Sequence, residues 1–80
     1  MVTVTVRLSG PLAESLGARR VVGLDDGATV SDLLETIARE ASADGRGRTL
    51  AAVAGGSFLA RSRALADGDE VDVLVPVAGG

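Results

Sequence analysis

The sequence predicts a small α+β roll, a mixed sheet of four to five strands with one main helix packed across one face. Val2, Val4, Val6 and Leu8 alternate with Thr3, Thr5, Arg7 and Ser9, the period-two pattern of a half-buried strand rich in β-branched residues. Glu70 to Val75 alternates again, with Val71, Val73 and Val75 on one side and Asp72 and Leu74 on the other. Between these two runs, Val30, Leu33, Leu34, Ile37, Ala38 and Ala41 repeat at the spacing of a helix with one buried face. Eighty residues suffice for one domain. The order strand, strand, helix, strand, strand, strand puts that helix on a single sheet.

Each element has its own local cause. Gly10-Pro11 breaks the first strand, and Leu12 to Leu16 is read as a short helical turn stopped by Gly17. Arg19 to Leu24 is the second strand, and Asp25-Asp26-Gly27 is turn chemistry. Thr29 is placed to cap the main helix, with Asp32 three residues on completing a capping-box-like signal. Ser42 to Arg48, polar and holding Gly45 and Gly47, reads as an exposed loop. Leu50 to Val53 is a modest strand, Gly55-Gly56 a tight turn and Ser57 to Ala60 a short return strand. Asp67-Gly68 is the turn into the last strand. The division expected is a folded body over residues 1–76 and a flexible tail over 77–80.

Composition narrows the chemistry. The chain has no Cys and no His, which removes thiol nucleophiles, Ser-His-Asp triads, Cys/His metal sites and imidazole acid/base work. No acid/base pair, nucleophile or metal constellation remains, so the chain is expected to be a co-substrate or a non-catalytic subunit, with no bound cofactor. Eight basic residues against 11 acidic ones give a net charge of −3, which argues against nucleic acid or an anionic membrane as partner. One aromatic residue, Phe58, makes no base-stacking platform. All basic residues are Arg, so the chain's own side chains cannot receive an isopeptide bond. No apolar run approaches about 18 residues and the start is not a basic-plus-apolar signal, so the expected compartment is the cytoplasm.

The residues that point to a function are Pro76-Val77-Ala78-Gly79-Gly80. Beyond Pro76 they carry little side-chain bulk and, fully extended, reach roughly 13 to 14 Å at about 3.3–3.6 Å each. Gly79 and Gly80 lack Cβ atoms and suit a narrow channel. A terminal carboxylate is ionised at neutral pH and a poor electrophile, so Gly80 must be activated before it transfers anything. Adenylation by ATP makes it a mixed anhydride, and a persulfide or sulfide can then displace AMP to leave a thiocarboxylate. With no cysteine in the chain, a sulfur-carrying role could not run through a side-chain persulfide and would fall to the terminal carbonyl. A glycine pair is weak evidence alone in a chain with 11 glycines and gains weight from the fold pattern ahead of it.

The first alternating strand, the Thr29-Val30-Ser31-Asp32-Leu33-Leu34 helix start, the Leu65-Ala66-Asp67-Gly68-Asp69-Glu70-Val71 approach and the Pro76-Val77-Ala78-Gly79-Gly80 end together resemble ubiquitin-like β-grasp sulfur carriers. The resemblance spans essentially the whole chain. Within that family the chain is most similar to the molybdopterin synthase small subunits, by length and ending, and next to the shorter thiamine-biosynthesis carriers. Val73-Leu74-Val75-Pro76 departs from the aromatic residues and paired prolines of the molybdopterin branch, and Ala54-Gly55-Gly56 stands where relatives often have Asn. The resemblance implies adenylation of Gly80 by a ubiquitin-activating-like enzyme using ATP and magnesium, then sulfur delivery to a sulfur-accepting synthase subunit in a hetero-oligomer. Carriers for cysteine synthesis, tRNA thiolation or sulfur-containing secondary metabolites fit the same residues.

Candidate partner-binding residues are Leu74, Phe58 and Pro76. Leu74 is apolar on the side of the last strand where alternation expects water, although single exposed leucines are ordinary. Phe58 is expected in the core by the burial tendency of its type, with a place beside Leu74 as the alternative. Arg61 and Arg63 are expected to be solvated rather than paired with a partner. Two other classes compete. Ser31-Asp32-Leu33 superficially fits an acyl carrier protein's modified serine, but those carriers are helical bundles and the Val/Thr alternation demands strands. A ubiquitin-like interaction module whose Gly-Gly end is unused also remains open, as does protein tagging.

Overall fold

The computed structural model describes residues 1–40 and 50–75. The elements are β1 (Val2–Leu8), α1 (Gly10–Leu16), β2 (Arg19–Leu24), α2 (Val30–Glu40), β3 (Ala51–Ala54), β4 (Ser57–Phe58) and β5 (Glu70–Leu74). The strands form one five-stranded sheet in the order β2-β1-β5-β3-β4. β1 is antiparallel to β2 and parallel to β5, and β3 is antiparallel to both β5 and β4. This is the α+β roll that the sequence predicts.

Alternation decides which face is dry. Val2, Val4, Val6 and Leu8 of β1, Val22 of β2, Ala52 of β3 and Val71 and Val73 of β5 are all buried on one face. Val30, Leu33, Leu34 and Ile37 of α2 are buried in the same cluster. Val4, Val6, Val30, Leu33 and Ile37 are fully screened from solvent, and among the described residues no polar side chain is buried. The second face of the sheet carries no helix among the described residues.

The start of α2 shows how its helix is held in place. A helix leaves its first four N–H groups without intrahelical partners. The Val30 N–H donates to the Arg63 carbonyl at 2.9 Å and the Ser31 N–H to the Arg61 carbonyl at 2.9 Å. The Asp32 N–H reaches Thr29 Oγ1 at 3.4 Å, while Asp32 Oδ2 accepts from the Thr29 N–H at 2.9 Å. That is the reciprocal box expected from Thr29 and Asp32. The Leu65 N–H donates to the Ala28 carbonyl at 2.9 Å, so the strap between β4 and β5 is laced to the helix entrance. Leu65, buried, pins it to the core.

A second lock brings β5 beside β1. Thr3 donates its N–H to Asp67 Oδ1 at 2.7 Å and accepts the Gly68 N–H at 2.7 Å. The Thr5 N–H donates to the Asp69 carbonyl at 2.9 Å, and Asp69 Oδ2 closes its own turn by accepting the Ala66 N–H at 2.8 Å.

Three expectations need adjustment. α1 begins at Gly10 and includes Pro11 in its first turn, because proline's missing N–H costs nothing where no intrahelical partner exists. The return strand stops at Phe58 rather than Ala60. The Leu59 N–H still reaches the Ala52 carbonyl, but the chain then turns at Ala60–Arg63 to meet the helix start. Phe58, expected in the core, is 71% exposed, because β4 pairs it with Val53 on the face away from α2. The expected last helical residue Ala41 and the loop Ser42–Arg48 lie outside the described residues.

Ala54 and Ser57 are partners across a two-residue hairpin in which Gly55 and Gly56 have φ of 60° and 82°, the left-handed pair that matches strand twist. Gly55→Val is expected to lower unfolding free energy by about 1–2 kcal/mol, measured by urea denaturation. Leu33→Ala, at a fully buried site, is expected to cost about 2–5 kcal/mol and to lower the thermal midpoint by at least about 8 °C. A smaller drop in calorimetry would show that α2 is not the main source of core burial.

Candidate functional site

The uncovered face can be read row by row from the strand registers. Arg19 of β2 lies opposite Arg7 of β1, Arg7 beside Asp72 of β5, Asp72 opposite Val53 of β3, and Val53 opposite Phe58 of β4. The next row, toward the C-terminal end of β5, pairs Leu74 with Ala51. One half of the face is therefore apolar, made of Phe58, Val53, Ala51 and Leu74. The other half mixes Arg7, Arg19 and Asp72 with Thr3, Thr5, Val21 and Gly23, and there Arg7 Nε meets Asp72 Oδ1 at 2.7 Å.

Leu74 and Phe58 share this face, as the alternative for Phe58 anticipated, with Val53 and Ala51 between them. Leu74 is half-buried although no element of the described fold covers it, and Phe58 projects into water. Sequence reasoning missed Val53 and Ala51, since they enter the patch only through the β3 register. Arg61, read as solvated, is exposed but has a local structural role. Its guanidinium donates to the Leu50 carbonyl at 3.4 Å, while its own carbonyl takes the Ser31 N–H.

β5 runs parallel to β1 in the middle of the sheet. It therefore releases the chain where β1 ends at Leu8 and β3 begins at Ala51, immediately beside Leu74. Val75 packs partly against the core. Pro76, Val77, Ala78, Gly79 and Gly80, together with the expected boundary at residue 76, lie outside the described residues. Among the described residues, no group of three or more acidic side chains is arranged to hold a metal ion, and no helix is long and apolar enough to cross a membrane.

The sequence matches the ThiS family over residues 6–80. The chain belongs to that family. ThiS-family proteins of this kind are ubiquitin-fold sulfur carriers. The match reaches past β5 and takes in the terminal glycines. Among solved structures, the small archaeal modifier protein 1 of H. volcanii is 27% identical with a TM-score of 0.75, over 96% of this chain and 100% of that one. A protein assigned as molybdopterin converting factor subunit 1 from Pyrococcus furiosus is 25% identical with a TM-score of 0.80, again over 96% and 100%. In Helicobacter pylori, a complex of subunits 1 and 2 of molybdopterin-converting factor holds a chain of the same fold, 23% identical, TM-score 0.61, covering 99% of this chain and 100% of that one. No curated protein matches the sequence. The ThiS-family chain thus has the β-grasp fold that its strand and helix pattern implied.

Because Phe58 makes the apolar patch without filling the core, Phe58→Ser is expected to change stability by no more than about 0.5 kcal/mol. Arg7→Ala, which removes an exposed ion pair, is expected to cost less than about 1 kcal/mol. Chemical denaturation checks both, and a loss above about 2 kcal/mol for Phe58→Ser would return that ring to the core.

Proposed function

We infer that the chain carries sulfur on its C-terminal carboxylate. In the proposed cycle a Gly80 carboxylate oxygen attacks the α-phosphorus of ATP on a partner adenylating enzyme, and pyrophosphate leaves. Hydrosulfide then attacks the carbonyl carbon of the acyl adenylate. The C–S bond forms as the C–O bond to AMP breaks, leaving a thiocarboxylate. ATP and magnesium belong to the partner, and the chain serves as co-substrate rather than catalyst. The observation that carries this reading is the family match through Gly80.

The acceptor we propose is a synthase subunit that builds molybdopterin. The converting-factor relatives support this choice over thiamine, cysteine, tRNA or secondary-metabolite pathways. The apolar half of the open face, Phe58, Val53, Ala51 and Leu74, is the proposed dock, because it adjoins the chain exit. A standard interface takes roughly 800 Å² from each partner, near a fifth of the surface of a folded chain this small. Loading enzyme and acceptor are therefore proposed to compete for one face, with Pro76 proposed as a further contact. A ternary complex containing both partners on one copy would refute shared docking.

Full-length protein is expected to support ATP–pyrophosphate exchange by its adenylating enzyme, and a truncation lacking Gly79 and Gly80 to abolish it. Equal exchange by the truncation would defeat the carboxylate mechanism. Phe58→Asp is expected to raise the KM of the chain in that exchange at least about tenfold, as loss of an aromatic anchor does. A second reading, attachment to target proteins, is favoured by the modifier relative. Intact mass from the native host separates the two, since one oxygen replaced by sulfur marks the carrier and amide-linked conjugates mark the modifier.

A further inference from the structure

The sheet has a second feature unrelated to the proposed sulfur chemistry, the edge along β2, which no strand covers among the described residues. The Leu8 N–H donates to the carbonyl of Ala18, its opposite residue, at 2.9 Å. In an antiparallel pair, hydrogen-bonded and non-bonded residue pairs alternate. With Val2 opposite Leu24 and Arg7 opposite Arg19, Arg20, Val22 and Leu24 therefore spend their backbone groups on β1. Those of Arg19, Val21 and Gly23 face outward. The odd residues of β1 agree with this assignment, since Thr5 donates to Asp69 and Thr3 accepts from Gly68 on the opposite side.

Such an edge is a template for another strand. β2 pairs through six consecutive residues without a bulge, it contains no proline, and Val21 stands on it 64% exposed. Its charges have a polarity: the segment reads Arg19-Arg20-Val21-Val22-Gly23-Leu24-Asp25-Asp26, basic at its start and acidic at its end. Arg20 Nη2 meets Glu40 Oε1 at 2.8 Å, so the C-terminal end of α2 lies by the start of β2 and Arg20 already has its counter-ion. A groove of about 340 Å³ between the following turn and α2 is lined by Asp25, Asp26, Asp32 and Glu35, with Arg39 beside them. Asp26 is already bound by the Met1 ammonium at 2.7 Å. Arg19, by contrast, lies opposite another arginine, Arg7, whose own counter-ion is Asp72. Like charges directly opposite across strands are unfavourable.

A two-fold axis reverses a strand and so sets a basic end against an acidic one. We propose that β2 pairs antiparallel with β2 of a second copy of this chain, about an axis at Val22. That register sets Arg19 opposite Asp25 of the second copy and Val21 opposite Gly23 of the second copy. The outward-facing residues, all odd-numbered, then meet one another. Each Val21–Gly23 pair exchanges two backbone hydrogen bonds, and Asp25 of the second copy supplies a counter-charge to Arg19, which lies opposite Arg7. The two sheets become one, and the apolar half of the open face, on β5, β3 and β4, stays free on both copies.

Sedimentation equilibrium of the full chain tests this from about 10 μM to about 1 mM, the range suited to an interface below standard size. Apparent mass is expected to rise from 8.0 kDa toward twice that value. Arg19→Asp alone and Asp25→Arg alone are each expected to weaken association at least about tenfold. Mixing those two variants restores it, because the introduced carboxylate of one then meets the introduced guanidinium of the other, and the retained Asp25 meets the retained Arg19. Amide exchange at Val21 and Gly23 is expected to slow with concentration. The proposal is overturned by a wild-type chain that remains monomeric at about 1 mM, as an edge reserved for a different protein's strand would be. It is equally overturned by single variants that associate as wild type does, by a mixture that stays monomeric, or by association that leaves the Val21 and Gly23 amides unprotected.

Discussion

Everything in this fold hangs on the parallel pairing of β1 with β5. Parallel neighbours cannot be joined by a tight turn, so the rest of the chain must be arranged between them. That arrangement sets α2 over one face and hangs β3 and β4 on the far side of β5. Thr3 and Thr5 make the pairing specific, since their backbone groups engage the Asp67–Asp69 turn before the ladder begins. Once β5 is seated, both of its edges are occupied, and Val71 and Val73 are sealed against the helix.

The same pairing gives the two sheet faces different physical roles. The inner face is aliphatic and buried at its centre, with Arg20 at its β2 margin paired to Glu40 of α2, and the helix start is satisfied by carbonyls from the strap after β4. The outer face has no such cover among the described residues, and Phe58 stands exposed on it. Because β5 is central, the chain leaves the sheet beside Leu74 and Ala51 rather than at a remote edge. In the proposed carrier role, that adjacency lets one docked surface orient the tail.

The sheet's two edges differ as well. β4, with two residues, offers little to an incoming strand. β2 offers a longer, regular run with charge separated along its length. An interface on β2 and a dock on the β3–β4 side are compatible in space, since the strands concerned lie at opposite ends of the sheet.

Much of this was legible in the chain itself. The β1 and β5 alternations, the helical spacing from Val30 to Ile37 and the Thr29–Asp32 box are local patterns, each specified by residues within a few positions of one another. They determined the α+β class and, with the glycine ending, the resemblance to sulfur carriers. Phe58 went the other way. Its type favours burial, yet its face is decided by the pairing with Val53 and by where the strap must travel next, neither of which is local. The membership of Val53 and Ala51 in the patch, the ties from Arg61 and Arg63 to the helix start, and the outward set of β2 backbone groups were likewise decided only by tertiary structure. All of them depend on strand register, which brings residues far apart in the chain opposite one another and leaves no periodic trace in the sequence.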